Sequence, residues 1–320
     1  MRLILCILCC LPLQLFGQYD PAGGKPGSAA IHRDHTSLSY FGDSVVIEKG
    51  LSKINASDST RVSTGIASDA IGSPDNRTVS LGDGGMATYH FNRKIADVDG
   101  PDFVVFENGF EWVGGYFLEL AFVEVSSDGK RFVRFPAVSA ADTTTQIENL
   151  AYMTCEWYHN LAGKHQAPYG TSFDLNELKD SSGLDILNIS HVRLVDVVGN
   201  LNDSFARRDV NNNKINDPWP TDFESGGFDL DAIGVLQFAL NANEEAVIKR
   251  FVAPNPSQMS EGFDVLIPYK RLSLRSLNGA IVYSSDVNQQ HHKPKLSEGV
   301  YVLLIETDHG LMSQKICVLP

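Results

Sequence analysis

The chain has 320 residues, with 26 Lys and Arg against 39 Asp and Glu, a formal net charge of −13. A hydrophobic fraction of 43% excludes a largely disordered chain, and the length suits one large domain plus a small one. The charge is uneven: residues 18–245 carry 17 basic against 33 acidic side chains, or −16, whereas residues 246–320 carry 8 against 6, or +2. A segment that acidic repels phosphate backbones, which argues against nucleic acid as a partner and for cations as ligands.

Arg2 followed by an apolar run over residues 3–16, broken only by Pro12 and Gln14, and then the small Gly17, predicts a secretory signal peptide over residues 1–17. The run is too short for an ordinary transmembrane helix. No other stretch reaches the ~20 apolar residues a helical span needs, so no transmembrane segment is expected in the mature chain. Three of the five cysteines fall in this segment, leaving Cys155 and Cys317. That excludes a disulfide framework and predicts a buried structural thiol at Cys155. Residues 18–39, rich in Gly, Pro and Ala, read as a flexible leader.

From residue 40 the pattern is β. Ala87, Tyr89 and Phe91 alternate with Thr88 and His90, and residues 103–106 form a short apolar run. Residues 117–125 place Leu118, Leu120 and Phe122 on one face and Glu119, Ala121 and Val123 on the other. Residues 132–135 return after a Ser127-Asp128-Gly129 turn, and residues 192–198 form a further strand. Helix hints are confined to residues 176–179 and 147–153. Turns at short intervals predict a jelly-roll-like β-sandwich over residues 40–245 and exclude a Rossmann or barrel fold. After the polar stretch near residues 241–245, short strands and an Asn278-Gly279 hairpin turn predict a second, small immunoglobulin-like sandwich over residues 246–320.

The tail resembles the C-terminal sorting domain of the type IX secretion system of Bacteroidetes. The resemblance rests on Pro254-Asn255-Pro256, the Ser276-Leu277-Asn278-Gly279 turn, Leu296-Ser297-Glu298-Gly299-Val300-Tyr301 and the closing Lys315-Ile316-Cys317-Val318. It implies type IX machinery as the partner of residues 246–320, and a secreted or outer-surface location. Val252-Ala253 departs from the family, which commonly has an aromatic before the first proline. Residues 60–240 resemble a family of bacterial cell-surface proteins. The phrases that carry this are Leu81-Gly82-Asp83-Gly84-Gly85, Gly100-Pro101-Asp102-Phe103, Glu119-Leu120-Ala121-Phe122-Val123, Gly170-Thr171-Ser172-Phe173 and Gly226-Gly227-Phe228-Asp229-Leu230. That family brings no established activity. The stretch 123–135 is also similar to discoidin-like and carbohydrate-binding jelly rolls.

Two clusters carry candidate chemistry. Asp209, Asn211, Asn213 and Asp217 fall at positions one, three, five and nine of a loop, with the Ile215 carbonyl at position seven. That is the spacing with which a loop wraps Ca2+. Lys214 replaces the turn glycine of an EF-hand and Pro220 replaces its last acid, so Asp203, Glu224, Asp229 or Asp231 would complete a structural calcium site. The same residues also read as an Asx-rich turn. The second cluster is Asp102, Glu107, Asn108, Glu111, Trp112 and Tyr116, with Trp219 as a further stacking ring. Acids beside aromatics suit sugars, because rings stack on pyranose faces and carboxylates accept from hydroxyls. The leading expectation is an exported, calcium-stabilised, glycan-binding module. The alternatives are a polysaccharide hydrolase using acids of segment 102–119 and a structural or adhesive surface component. No H-E-x-x-H, P-loop, G-x-S-x-G or C-x-x-C occurs, and no catalytic residue is assigned.

Overall fold

The structure is a computed structural model that describes residues 19–38, 40–236, 252–258, 260–286, 289–307 and 310–320. The expected signal peptide and the expected polar boundary at 241–245 lie outside the described residues. Contacts divide the chain into two units, residues 1–239 and 240–320. Both are all-β among the described residues, apart from three single-turn 3-10 helices in the first.

The first unit has sixteen short strands: β1 (Ile31–His32), β2 (Tyr40–Phe41), β3 (Ser44–Glu48), β4 (Val79–Ser80), β5 (Met86–Ile95), β6 (Phe103–Glu107), β7 (Phe110–Trp112), β8 (Gly115–Phe117), β9 (Ala121–Ser126), β10 (Val133–Arg134), β11 (Val138–Ser139), β12 (Tyr158–His159), β13 (Leu161–Ala162), β14 (Tyr169–Phe173), β15 (Ile189–Asp196) and β16 (Asp229–Val235). One sheet runs β1-β14-β6-β16-β2 with β4 also on β16. The other runs β10-β9-β15-β5-β3 with β13 also on β9. All pairings in this unit are antiparallel, and a core of Tyr89, Phe91, Phe103, Val105, Val123, Phe173, Val192 and Ile233 joins the two sheets into a sandwich.

The central strands are buried on both faces. In β9, Ala121, Val123 and Val125 face the core between the sheets. Phe122 faces outward, yet it is buried with Leu118, Leu120, Met153, Cys155, Tyr158 and Ile215 under loops that cover that sheet. On the other sheet, Val104, Phe106 and Ala232 are covered by Ile31, Leu38 and Phe41. This double cover explains why β6, β9 and β16 read as nearly continuous apolar runs. The outer covers also change the reading of the leader. Residues 19–32 pack: Ala22 is buried, the Tyr19 amide donates to the Glu156 carbonyl at 3.2 Å, and Gln166 holds the Gly23 carbonyl at 3.0 Å. Of the two helix hints, only the second half of the chain keeps one, as a 3-10 turn at Leu175–Leu178 capped by Asp174; residues 147–153 form turns and a bridge to Tyr116.

The second unit has two sheets. Val252–Ala253, Phe263–Val265 and His291–His292 form one. Ser257–Gln258, Gly310–Leu319, Gly299–Thr307, Arg271–Ser276 and Ile281–Ser285 form the other, in that order. Its core contains Phe263, Leu272, Leu274, Leu303 and Ile316. The Asn278-Gly279 turn sits between two paired strands, with Gly279 at φ 88°, a left-handed conformation that costs glycine little.

In the first core, the Phe173 ring stacks on Phe103 at 5.4 Å and meets Phe135 edge-on at 5.0 Å. Phe173→Ala is therefore expected to cost about 3–5 kcal/mol. Urea unfolding of the full chain checks this, and a loss under about 1 kcal/mol would show that this layer can collapse.

Candidate functional site

Carboxylates inserted into apolar strands converge at one end of the first sandwich. Glu107 ends β6, Glu119 precedes β9, Asp196 ends β15, Asp229 opens β16, and Asp83 and Asp217 come from adjoining loops. All six are buried. Sequence position explains the grouping. β6 pairs with β16 so that Leu230 lies opposite Glu107, and β9 pairs with β15 so that Ala121 lies opposite Asp196. Neighbouring strands thus deliver their terminal acids to the same rim.

These acids differ in how well they are satisfied. Asp196 accepts from the Gly84 amide at 2.9 Å and the Phe228 amide at 2.8 Å. Asp83 accepts from the Ile54 amide at 2.7 Å, the Trp219 indole at 3.2 Å and the Thr221 hydroxyl at 3.3 Å. Asp229 takes the Ser80 hydroxyl and, at 3.0 Å, the Asn108 amide. Glu107 and Asp217 are each half-satisfied. Glu107 Oε2 accepts from the Gly109 amide at 2.7 Å and Asp217 Oδ2 from the Leu120 amide at 3.3 Å, while Glu107 Oε1 and Asp217 Oδ1 have no partner.

Electrostatics follow from this geometry. Burial, then the Asp229 charge, pushes Glu107 well above the usual carboxylate range. Burial, then Asp229, Glu107, Asp217 and Asp196, does the same to Glu119. Burial, then Asp196, raises Asp217 in the same way. Asp196 is pushed up to about 7 by burial and by Asp83, against its two amide donors. The opposing cations are few. Lys49 acts on Asp229 while donating to the Thr64 and Gly65 carbonyls, and Arg207 acts on Asp83 and Asp196.

A cleft of about 140 Å³ reaches two acids of this floor, Glu119 and Asp229, and is also lined by Asn149, Thr221, Ser225, Phe117, Leu150, Pro218 and Phe223. Beside it stands the β7–β8 hairpin. Phe110 stacks on Phe117 at 5.3 Å, and Tyr116 bridges to Met153. Of the apolar residues lining the cleft, Leu150 is 65% and Phe223 47% exposed, and Trp112 on the hairpin is 64% exposed.

The structure separates the residues expected from sequence into several places. Glu107, Asn108, Asp217 and Asp229 meet at the acid floor, and Trp112 and Tyr116 lie on the adjoining hairpin. Trp219 bonds Asp83 at the floor's edge. Asp102 lies elsewhere: its oxygens accept from the Val98 amide at 3.0 Å and the Leu175 amide at 2.7 Å, and one of them lies within 4.8 Å of oxygens of Asp97 and Asp174. The loop 209–217 folds back as a tight turn. Asp209 accepts from the Asn211 and Asn213 amides at 2.9 and 2.7 Å, the Ser139 amide at 3.1 Å and the Asn213 side chain at 3.1 Å. Asn211 and Asn213 are exposed, Ile215 is core, and both oxygens of Asp209 are taken by N–H donors. Asp231 accepts from the Asp75 and Asn76 amides at 3.1 and 3.0 Å and pins that loop. Sequence reasoning missed Asp83 and Asp196 as site residues and reached Glu119 only as one acid of the segment 102–119. Their signal was a lone acid inside an apolar run, as in Phe117-Leu118-Glu119-Leu120 and Leu194-Val195-Asp196-Val197.

A separate cavity of about 350 Å³ lies over the leader, lined by Asp20, His159, Lys164, His165 and Glu177 among others. Asp20 ties down the buried Lys164 at 2.5 Å and His165 at 3.1 Å. Burial raises the Asp20 carboxyl, but the His165 hydrogen bond and the Lys164 charge outweigh it and hold it below the usual range.

No protein-family model matches the chain, and no curated protein matches it. A solved structure described as "Biofilm associated protein - BSP domain" is similar at 8% identity and a TM-score of 0.17, over 73% of this chain and 48% of that one. The chain thus spans about half the length of that structure, and a TM-score this low establishes no shared fold. No helix among the described residues is long and apolar enough to cross a membrane.

The raised acids set a pH dependence. Asp102 and Asp196, each at about 7 in the fold, lie above the ~3.9 of an unfolded Asp, so the folded state holds the protons more tightly. Their stabilisation is full below the unfolded value and is lost as pH climbs to the folded one. In chelating buffer the thermal midpoint of the full chain should fall between pH 5 and pH 7.5. A midpoint that rises over that interval would contradict this assignment.

Proposed function

We propose that the first unit is an exported, cation-stabilised binding module and that its ligand is a glycan seated at the cleft beside the β7–β8 hairpin. The observation that carries the reading is a cleft that brings the rings of Phe117 and Phe223 together with Glu119, Asp229, Thr221 and Ser225, while the exposed Trp112 lies on the adjoining hairpin. Aromatic faces stack on the C–H side of sugar rings, and hydroxyl and carboxylate oxygens take their O–H groups. The cleft is small, so it would seat one ring or part of one, with further rings lying along the hairpin. A second reading, a polysaccharide hydrolase, is favoured by one feature. Glu119 reaches the cleft with its proton held tightly, as a general acid needs, and Asp229 lies beside it. A structural or adhesive surface component is the third.

A glycan array probed with the full-length protein separates the three. Binding that drops at least about tenfold in Trp112→Ala and Phe223→Ala supports the module. Release of shortened sugars supports the hydrolase, and binding to no glycan supports the structural role.

For the second unit, we infer that residues 246–320 act as a type IX secretion sorting domain and deliver the protein to the outer surface or the medium. The two-sheet build and the Asn278-Gly279 hairpin support this, together with the sequence resemblance. Deleting residues 250–320 is expected to leave the protein in the periplasm of a type IX host. Unchanged surface display of the truncated protein on fractionation would end the proposal.

A further inference from the structure

We propose that Glu107, Glu119 and Asp217, with Asp229 at the cleft, bind one hard divalent cation, with calcium as the best fit. The site shares Asp217 and Asp229 with the calcium set that the sequence suggested but leaves out Asp209, Asn211 and Asn213. Two buried oxygens without a partner point to a ligand. Glu107 is 2% exposed and Asp217 4% exposed, yet Oε1 of the first and Oδ1 of the second have no hydrogen-bond partner. A buried carboxylate oxygen left without a donor is a large uncompensated cost. Glu107, Glu119, Asp217 and Asp229 are all buried carboxylates. Among the described residues, the Lys49 ammonium is engaged with the Thr64 and Gly65 carbonyls.

The donor set is oxygen throughout, which selects calcium or magnesium over zinc or copper. Calcium fits better because it accepts 6–8 oxygens in irregular geometry. Asn149, Thr221 and Ser225 line the same cleft and add neutral oxygens. No three of these acids bring oxygens within 4.8 Å of one another, so at most two would ligate the ion directly and water from the cleft would supply the rest of the shell. The group that does meet that distance, Asp97, Asp102 and Asp174, makes a weaker case. Asp97 Oδ1 is likewise without a partner, but Asp102 has an amide donor on each oxygen, and Asp97 and Asp174 are part-exposed.

This inference deepens the cation-stabilised part of the proposed function and does not use the glycan, so the two can fail separately. The test titrates CaCl2 into chelator-treated full-length protein and follows thermal unfolding and heat of binding. One site per chain is expected, with a midpoint rise of about 5 °C or more at a hundredfold excess over the dissociation constant. Glu119→Gln and Asp217→Asn should each weaken calcium at least tenfold, whereas Asp209→Asn should bind as the parent does. If Glu119→Gln does not fold, Glu107→Gln carries the same comparison. No calcium response in the parent protein overturns the proposal. So does a response that survives Glu119→Gln and Asp217→Asn, or one that Asp209→Asn alone abolishes.

Discussion

The constraint on which the first unit depends is the concentration of buried negative charge at one end of a sandwich. Antiparallel pairing brings strand ends together, and here four strands or their flanks end in an acid at the same rim. Ionised carboxylates are costly in a low-dielectric interior unless they are paired, and like charges held close cannot all ionise. The fold meets part of that cost with backbone amides. Gly84 and Phe228 serve Asp196, Gly109 serves Glu107, and Leu120 serves Asp217. Amides run out at the centre of the group. Glu107, Glu119 and Asp217 are left to protons or to a metal, and these two solutions respond oppositely to pH and to chelation.

The loops that cover the second sheet follow from the same architecture. A sheet whose outer face carries Leu118, Leu120, Phe122 and Leu161 cannot face water, so residues 136–158 and 197–217 must lie across it. Loops without a core of their own need polar anchors. Asn216 provides one: buried, it accepts from Gln146 and the Ile147 amide and donates to the Asp142 and Thr145 carbonyls. Asp209 provides another by gathering three backbone amides and one side-chain amide around one carboxylate. Its burial is a consequence of holding the turn, and the oxygen-rich spacing around it serves the same end.

This explains how much of the molecule was legible in the sequence. The alternation at Ala87, Tyr89 and Phe91, and the opposite facing of Phe122 and Val123, depend on the two-residue strand period alone, and both survive in the structure. The 209–217 loop is ambiguous for a physical reason. An Asx turn and a calcium loop both place oxygen-bearing side chains at alternate positions, and only the third dimension shows whether N–H groups or a metal fill them. The acid floor was out of reach because it is assembled across sequence separations such as 83 to 217. The leader misled by composition: Gly and Pro suggest looseness, but the Asp20 pairing with Lys164 and His165 is long-range and leaves no local trace.

The floor and the rim are not independent features. Glu107 and Glu119 bracket the β7–β8 hairpin, and Gly109 and Phe117 at its base touch the floor directly. A side chain at Gly109 would meet Glu107 Oε2 at 2.8 Å and the Phe117 carbonyl at 2.8 Å. The aromatic hairpin is therefore rooted in the two acids that most need a counter-charge. Whatever neutralises Glu107 and Glu119 fixes the base of the hairpin, and the position of Trp112 and Tyr116 follows from that base. A cation and a ligand at the cleft would then be coupled through the hairpin and through Glu119 and Asp229, which both would use, each favouring the geometry the other requires.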